Sequence, residues 1–492
     1  MTYHWIIYLY LSGHRVSKKQ AALGNLVVWL PLEPIGTYLI WSMFSLPKII
    51  RKRLMIIKTL LLSTSLLFCA SSFAIEPLSK QIDNDYPYLD SLYKHLHQHP
   101  EISFEEALTA KRIATELKGL GFDVTTNFGG HGVVGVYKNG AGPTVMIRTD
   151  LDALPIKEQT GLSYASSKTM KGRDGKQTYT MHACGHDIHM TVFTGTARRL
   201  IEAKNNWSGT LLMIGQPAEE RSGGAKAMLA EGLFEKFPRP DYNLAIHVSA
   251  DIPAGKIGTV KGFAMANVDS VDILVKGQGG HGAYPHNTKD PIVLASQIVQ
   301  SLQTIVSRET SPLEPAVVTV GSIHGGSQHN IISNQVKMQL TLRSYSDAVR
   351  KNTLESIRRM TKHLGLAAGL PEAQLPEVTV LDESTPAAYN DPKLTSKLTN
   401  LFEKLLGSEN IINLKPEMVG EDFGRYGQVA PKIPSLMYRL GTVNQERYLQ
   451  SIDSATRLPT LHSANFAPDP EPTIKTGVLT MSEAALLLLK KN

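Results

Sequence analysis

An ordered run of alternating patterns between about residues 263 and 381 constrains this chain more than any other feature. Short β-type runs at 270–276, 316–323, 335–343 and 377–381 are interleaved with helical stretches at 290–308 and 347–365. That order is β-α-β-β-α-β, the split-βαβ plan of a small self-contained domain. In the 335–343 run, Val336, Met338, Leu340 and Leu342 alternate with Lys337, Gln339, Thr341 and Arg343. Such alternation predicts a sheet with one covered face and one open face.

A larger α/β pattern flanks this run. Residues 107–120 place Ile113, Leu117 and Leu120 on one helical face and stop at Gly119 and Gly121. The apolar runs VVGVY (133–137), TVMIR (144–148), TLLMIG (210–215) and NLAIHV (243–248) read as buried strands, with a helix from His189 to Lys204 between them. Amphipathic helices at 391–406 and 473–490 resume the pattern. The expected fold class is α/β: a larger mixed-sheet domain formed by 75–262 and 382–492, with a smaller ferredoxin-like β-α-β-β-α-β domain inserted at 263–381. At 492 residues the chain is long enough for two or three domains.

The formal charge of +7 is concentrated at one end. Residues 1–74 hold eight Lys or Arg and one acid, Glu33, which leaves 43 of each sign in 75–492. A balanced folded part argues against nucleic acid, which needs a basic stripe. Lys58 precedes TLLLSTSLLFCASSFA, an apolar run of secretory length ending in small residues. Residues 55–74 therefore read as a signal peptide cleaved after Ala74, with an exported, periplasmic or secreted product. In residues 1–54, Pro31, Glu33, Pro34 and Pro47 interrupt the apolar stretch, so an unused upstream start is preferred over a membrane tether.

Of the two cysteines, cleavage removes Cys69 and leaves Cys184. An unpaired exported thiol needs an explanation other than a disulfide. It lies in MHACGHDIHM (181–190), where Cys184 and His186 flank Gly185. A turn with this spacing can aim both side chains at one ion, although a free Cys is also a common core residue. In IGQPAEE (214–220), Glu219 and Glu220 follow an apolar strand. Neighbouring carboxylates repel unless a cation or a proton separates their roles. His247 ends another strand, His462 lies near the carboxyl end, and Asp150 and Asp152 close the strand of IRTDLDALP. Ligands gather at strand ends of open α/β sheets, and Asp152 is counted as a catalytic residue that orients the site from behind.

The ordered set HLHQHPEIS (95–103), IRTDLDALP (147–155), MHACGHD (181–187), QPAEE (216–220), GGHGAYPH (279–286), HNIIS (329–333), GEDFG (420–424) and LHSANF (461–466) resembles the M20 metallopeptidases. In particular it is similar to the amidohydrolases that cut N-acyl and N-aroyl amino acids, including hippurate hydrolases and plant auxin-conjugate hydrolases. The resemblance spans roughly 84–490.

The resemblance implies two divalent ions held by Cys184, His186, Glu220, His247 and His462, with Glu219 as general base. A shared ligand sets such ions roughly 3.5–4 Å apart. Softness favours zinc, and manganese, cobalt and nickel also serve this branch. It further implies a homodimer through the inserted domain, with His281 reaching the partner's site to stabilise the oxyanion, and with Asn330 and Arg343 holding the substrate carboxylate. The sequence departs from the family at Ser333, where proline is usual, and at Arg221 and Ser222, where glycines are common. The expected reaction releases an amino acid and a carboxylic acid from an N-acyl or N-aroyl amino acid. A dipeptidase or aminopeptidase on the same fold is the alternative. A non-catalytic ligand-binding protein fits less well, because all six metal and base positions are filled.

Overall fold

The computed structural model describes residues 77–172, 175–454 and 456–490. The expected signal peptide and amino-terminal extension lie outside these residues. No helix among the described residues is long and apolar enough to cross a membrane.

The larger sheet is built from β1 (Asp123–Thr126), β2 (Val133–Asn139), β3 (Thr144–Asp150), β4 (Gly209–Gln216), β5 (Tyr242–Pro253), β6 (Ile257–Thr259) and two strands that come after the inserted segment. The inserted segment contributes β7 (Asn267–Lys276), β8 (Ala316–Gly325), β9 (Gln335–Ser344) and β10 (Glu377–Thr385). The chain then returns to the larger sheet as β11 (Ile411–Asn413) and β12 (Ser435–Val443). The eight strands run in the order β1-β2-β4-β3-β5-β12-β6-β11. Parallel pairing joins β4, β3, β5 and β12 at the centre, and antiparallel pairs flank it. Buried on both faces, β3 and β4 read as continuous apolar runs, as central parallel strands do.

Helices α1 (Leu78–Gln98), α2 (Ala107–Gly119) and α3 (His186–Glu202) cover one face together with the late helices 392–406 and 470–488. Phe128, Met228, Phe423 and Tyr426 fill a second core on the other face. α1 has no counterpart among the expected elements. Pro87 interrupts its sequence and its polar residues outnumber its apolar ones, yet Ile82, Leu89, Leu92, Tyr93 and Leu96 form one buried stripe. α3 begins three residues earlier than expected, so His186 lies in its first turn.

The inserted segment forms its own antiparallel sheet, β8-β9-β7-β10, around a separate cluster that includes Val271, Ile273, Met338, Leu340 and Ile357. Helices 291–304 and 347–367 cover one face. The first ends four residues short of the expected 308, where a π-helical turn takes over at Ile305–Glu309. The uncovered face carries Ser270, Thr341 and Arg343 toward the mouth of the larger sheet's site.

Candidate active site

The site assembles where β3, β4 and β5 deliver side chains to one end of the larger sheet, the usual ligand position in such folds. Gly185 makes the first junction. It has φ +73° as the residue preceding α3, and a Cβ there would lie 2.6 Å from Val248 Cγ2. Only glycine allows both the left-handed turn and the close approach of helix to strand. Cys184 and His186 therefore face the same space from either side of it.

A tight turn over Glu219–Arg221 makes the second junction, bracketed by Ala218 at φ +48° and Ser222 at φ +54°. Non-glycine residues in this region are strained and need external support. Asp152 provides it: Oδ1 accepts from Glu219 N–H at 3.1 Å and Oδ2 from Glu220 N–H at 3.0 Å. Ser103 Oγ donates to Asp152 Oδ2 at 2.6 Å. Asp152 is fully buried and acts through this turn, touching no cavity surface. His462, also left-handed at φ +63°, is tied by its N–H to Ala183 O at 2.9 Å.

Five imidazole, thiol and carboxylate groups then converge. Cys184 Sγ lies 3.6 Å from His247 Nε2, and His462 Nε2 lies 3.4 Å from Glu220 Oε1. Two triads, Cys184–His186–His247 and Cys184–Glu220–His462, each hold their ligand atoms within 4.8 Å of one another and share the sulfur. His186 bonds through Nδ1 to the Asp152 carbonyl at 2.7 Å, and His247 through Nδ1 to the Val248 carbonyl at 2.8 Å. Both Nε2 atoms are thereby turned to the common centre, as ligand histidines require. His186 Nε2 and Glu220 Oε1 are buried without a hydrogen-bond partner. Buried polar atoms are rarely left so, and a pair of divalent ions would satisfy them.

The electrostatics agree with that fit. Burial, then Arg439 and His189, push the His247 pKa well down and keep it a neutral donor. Burial and Glu220 push the Cys184 thiol up, so an ion binding here displaces its proton. Glu219 is buried and raised well above the usual carboxylate range by burial, then by Glu421, Glu220 and Asp422. A cation at Glu220 offsets part of that repulsion and lets Glu219 ionise.

Arg148, a charged residue inside an otherwise apolar strand, organises a buried network below these residues. Its guanidinium donates to Gln216 Oε1 at 3.0 Å, Asp150 Oδ2 at 2.7 Å, Glu421 Oε1 at 3.0 Å and Asp422 Oδ1 at 3.2 Å. The motifs containing these residues were visible in the sequence, but their convergence on Arg148 was not. Arg439 was also missed. It stands opposite His247 in the β5–β12 register and pairs with Glu417 at the cavity wall.

The groups open onto a cavity of about 1270 Å³. Its far wall is the open face of the smaller sheet, with Ser270, Thr341 and Arg343. Arg343 is half-buried, donates to Thr341 Oγ1 at 3.1 Å, and has its pKa lowered by burial. Arg221 reaches across to an ion pair with Glu383. His281 and Asn330 sit together elsewhere: Gly282 N–H donates to Asn330 O at 2.8 Å, and His281 pairs with Ile331. Both are exposed, and neither lines this chain's own cavity.

Residues 146–463 match the model of peptidase family M20/M25/M40. Thermostable carboxypeptidase 2 of Saccharolobus solfataricus is 33% identical over 420 residues, covering 85% of this chain and 98% of the relative. Hippurate hydrolase of Campylobacter jejuni is 38% identical over 341 residues, covering 68% and 84%. Among solved structures, the Bacillus subtilis YXEP protein, described as a dinuclear metal-binding peptidase of the M20 family, superposes with a TM-score of 0.65 at 28% identity, covering 83% of this chain and 99% of that one. The converging ligand set and these likenesses lead to one assignment: the chain belongs to peptidase family M20/M25/M40 and is a metal-dependent amidohydrolase.

Proposed function

We propose that this enzyme hydrolyses the amide bond of N-acyl or N-aroyl amino acids, releasing the amino acid and a carboxylic acid. The observation that carries this reading is Arg343. It is a half-buried guanidinium with no ion pair among the described residues, and it lines the same cavity as Cys184, Glu220, His247 and His462. A partly desolvated cation on the wall of the same cavity suits the free carboxylate of an amino acid whose nitrogen is acylated. An aminopeptidase instead needs a free carboxylate for the substrate ammonium, but at the cavity wall Glu383 and Glu417 are engaged by Arg221 and Arg439, and Asp251 by Ser249. Relatives named hippurate hydrolase and N-acetyldiaminopimelate deacetylase point the same way.

In this reading Cys184, His186, Glu220, His247 and His462 hold two divalent ions, zinc being favoured by the thiolate and imidazoles. When bound, the ions supply Lewis acidity, acidifying water and polarising the scissile carbonyl. Glu219 takes the proton of the attacking water and returns it to the leaving amine. Asp152 keeps Glu219 and Glu220 in register during that exchange. His281 and Asn330 act on a partner chain's site in a homodimer joined through the inserted segment, with His281 steadying the oxyanion. The chain is exported after removal of residues 55–74.

A three-substrate assay tests the reading. N-benzoylglycine should be cleaved, its carboxamide should not, and an unblocked dipeptide should be a poor substrate. Faster cleavage of the dipeptide would overturn it.

A further inference from the structure

α3 carries a second histidine one turn after His186. His189 is buried and uses both ring nitrogens: Nδ1 lies 2.7 Å from Asp150 Oδ1, and Nε2 accepts the Val248 N–H at 2.9 Å. An imidazole nitrogen that accepts a backbone N–H has committed its lone pair, so the ring proton sits on Nδ1 and is donated to Asp150. His189 is thereby excluded from the ligand set, although its nitrogen lies within 4.8 Å of atoms on Asp150 and His186. Its ring stacks on His186 at 5.2 Å between centroids and meets His247 edge-on at 5.0 Å.

The need for that bond follows from the sheet. β3 pairs with β5 only from Val145 to Arg148, opposite Tyr242 to Ala245. Val248 lies beyond the end of this ladder, and its buried amide requires another acceptor. The same residue's carbonyl accepts from His247 Nδ1 at 2.8 Å. Val248 thus links two imidazoles, taking its position from one and fixing the aim of the other.

We propose that His189 is a positioning residue for His247. Asp150 orients the His189 ring, His189 holds the Val248 amide, and the Val248 carbonyl directs His247 Nε2 toward the Cys184 sulfur. The inference rests on the reading of His247 as a metal ligand.

Cobalt(II) titration of the demetallated full chain, followed by the visible absorption of cobalt–thiolate coordination, tests it without any substrate. His189→Asn can keep the Asp150 bond but is too short for the Val248 amide. It should still bind two ions per chain, one of them about 10- to 100-fold more weakly and with altered absorption. His189→Gln, whose side-chain oxygen can accept that N–H, should recover most of the affinity. His247→Ala should bind one ion. Unchanged affinity and absorption in His189→Asn would overturn the proposal. So would loss of an ion at saturating cobalt, which would make His189 a ligand, or equal weakening in the Asn and Gln variants, which would make it merely structural. Retention of both ions by His247→Ala would remove the ligand reading and this inference with it.

Discussion

A carboxylate oxygen of Glu219 lies within 4.8 Å of one on Glu421, and both side chains are buried. Two buried carboxylates this close disfavour joint ionisation; burial first and then Glu421 push Glu219 upward, and Arg148 pairs with Glu421. In Glu219→Gln the proton acceptor disappears while the proposed ligand atoms stay in place. Turnover should fall by about 10²- to 10⁴-fold, with two ions per chain still found by elemental analysis. A parallel loss of metal would assign Glu219 to the ligand set.

Arg148→Met tests the buried network. It removes the cation shared by Asp150, Glu421 and Asp422. Stranding buried charges costs about 3–5 kcal/mol, so the urea midpoint should drop sharply. An unchanged midpoint would mean that these carboxyls are neutral in the native protein.

Arg343→Ala should raise KM for N-benzoylglycine by about 10- to 100-fold, the worth of a charge-assisted hydrogen bond, while leaving the urea midpoint unchanged. Equal losses on N-benzoylglycine and on a substrate without the carboxylate would place its role elsewhere.

His97 offers a pH test of stability. It is buried between Asp187 Oδ2, 2.7 Å from Nδ1, and Glu158 Oε1, 3.1 Å from Nε2. Burial opposes its charge, but the two carboxylates prevail and carry its pKa from 6.5 up to about 9. A raised folded-state value favours the protonated native protein. The contribution is complete below about pH 6.5 and is lost as the pH rises through about 9, amounting to on the order of 3 kcal/mol. Denaturation across that window should show stability falling with pH in the native protein and a flatter profile in His97→Gln.

Mixing subunits tests the dimer. His281→Ala and Glu219→Gln should each be inactive alone, yet refolded together they should recover about a quarter of native activity, because half the chains pair as heterodimers with one complete site of two. No recovery in verified heterodimers would confine His281 to its own chain.

Local patterns in the sequence carried much of the architecture. The alternation at 335–343 appears as β9, with Val336, Met338, Leu340 and Leu342 buried and Lys337 and Gln339 exposed. The Cys184–His186 spacing pointed to a site because Gly185 between them can adopt the left-handed turn that aims both side chains at one point. Long-range relationships were less visible. α1 was obscured by Pro87 and by a stripe of apolar residues too thin to stand out. The partners of Arg148 lie in three separate motifs, and nothing local to any of them specifies that they meet. His189 looked like one more histidine in a cluster, since its exclusion as a ligand depends on a backbone amide from a strand distant in sequence.

The sharing of one sulfur by both triads has a practical consequence. Among the described residues Cys184 is the only cysteine, and its Sγ belongs to both Cys184–His186–His247 and Cys184–Glu220–His462. Peroxide converting that atom to a sulfinic or sulfonic acid is a lesion with no chemical return, and it would dismantle both halves of the centre together. Protein stripped by a chelator and treated with peroxide should therefore not revive when metal and reductant are restored, whereas stripped protein kept from peroxide should.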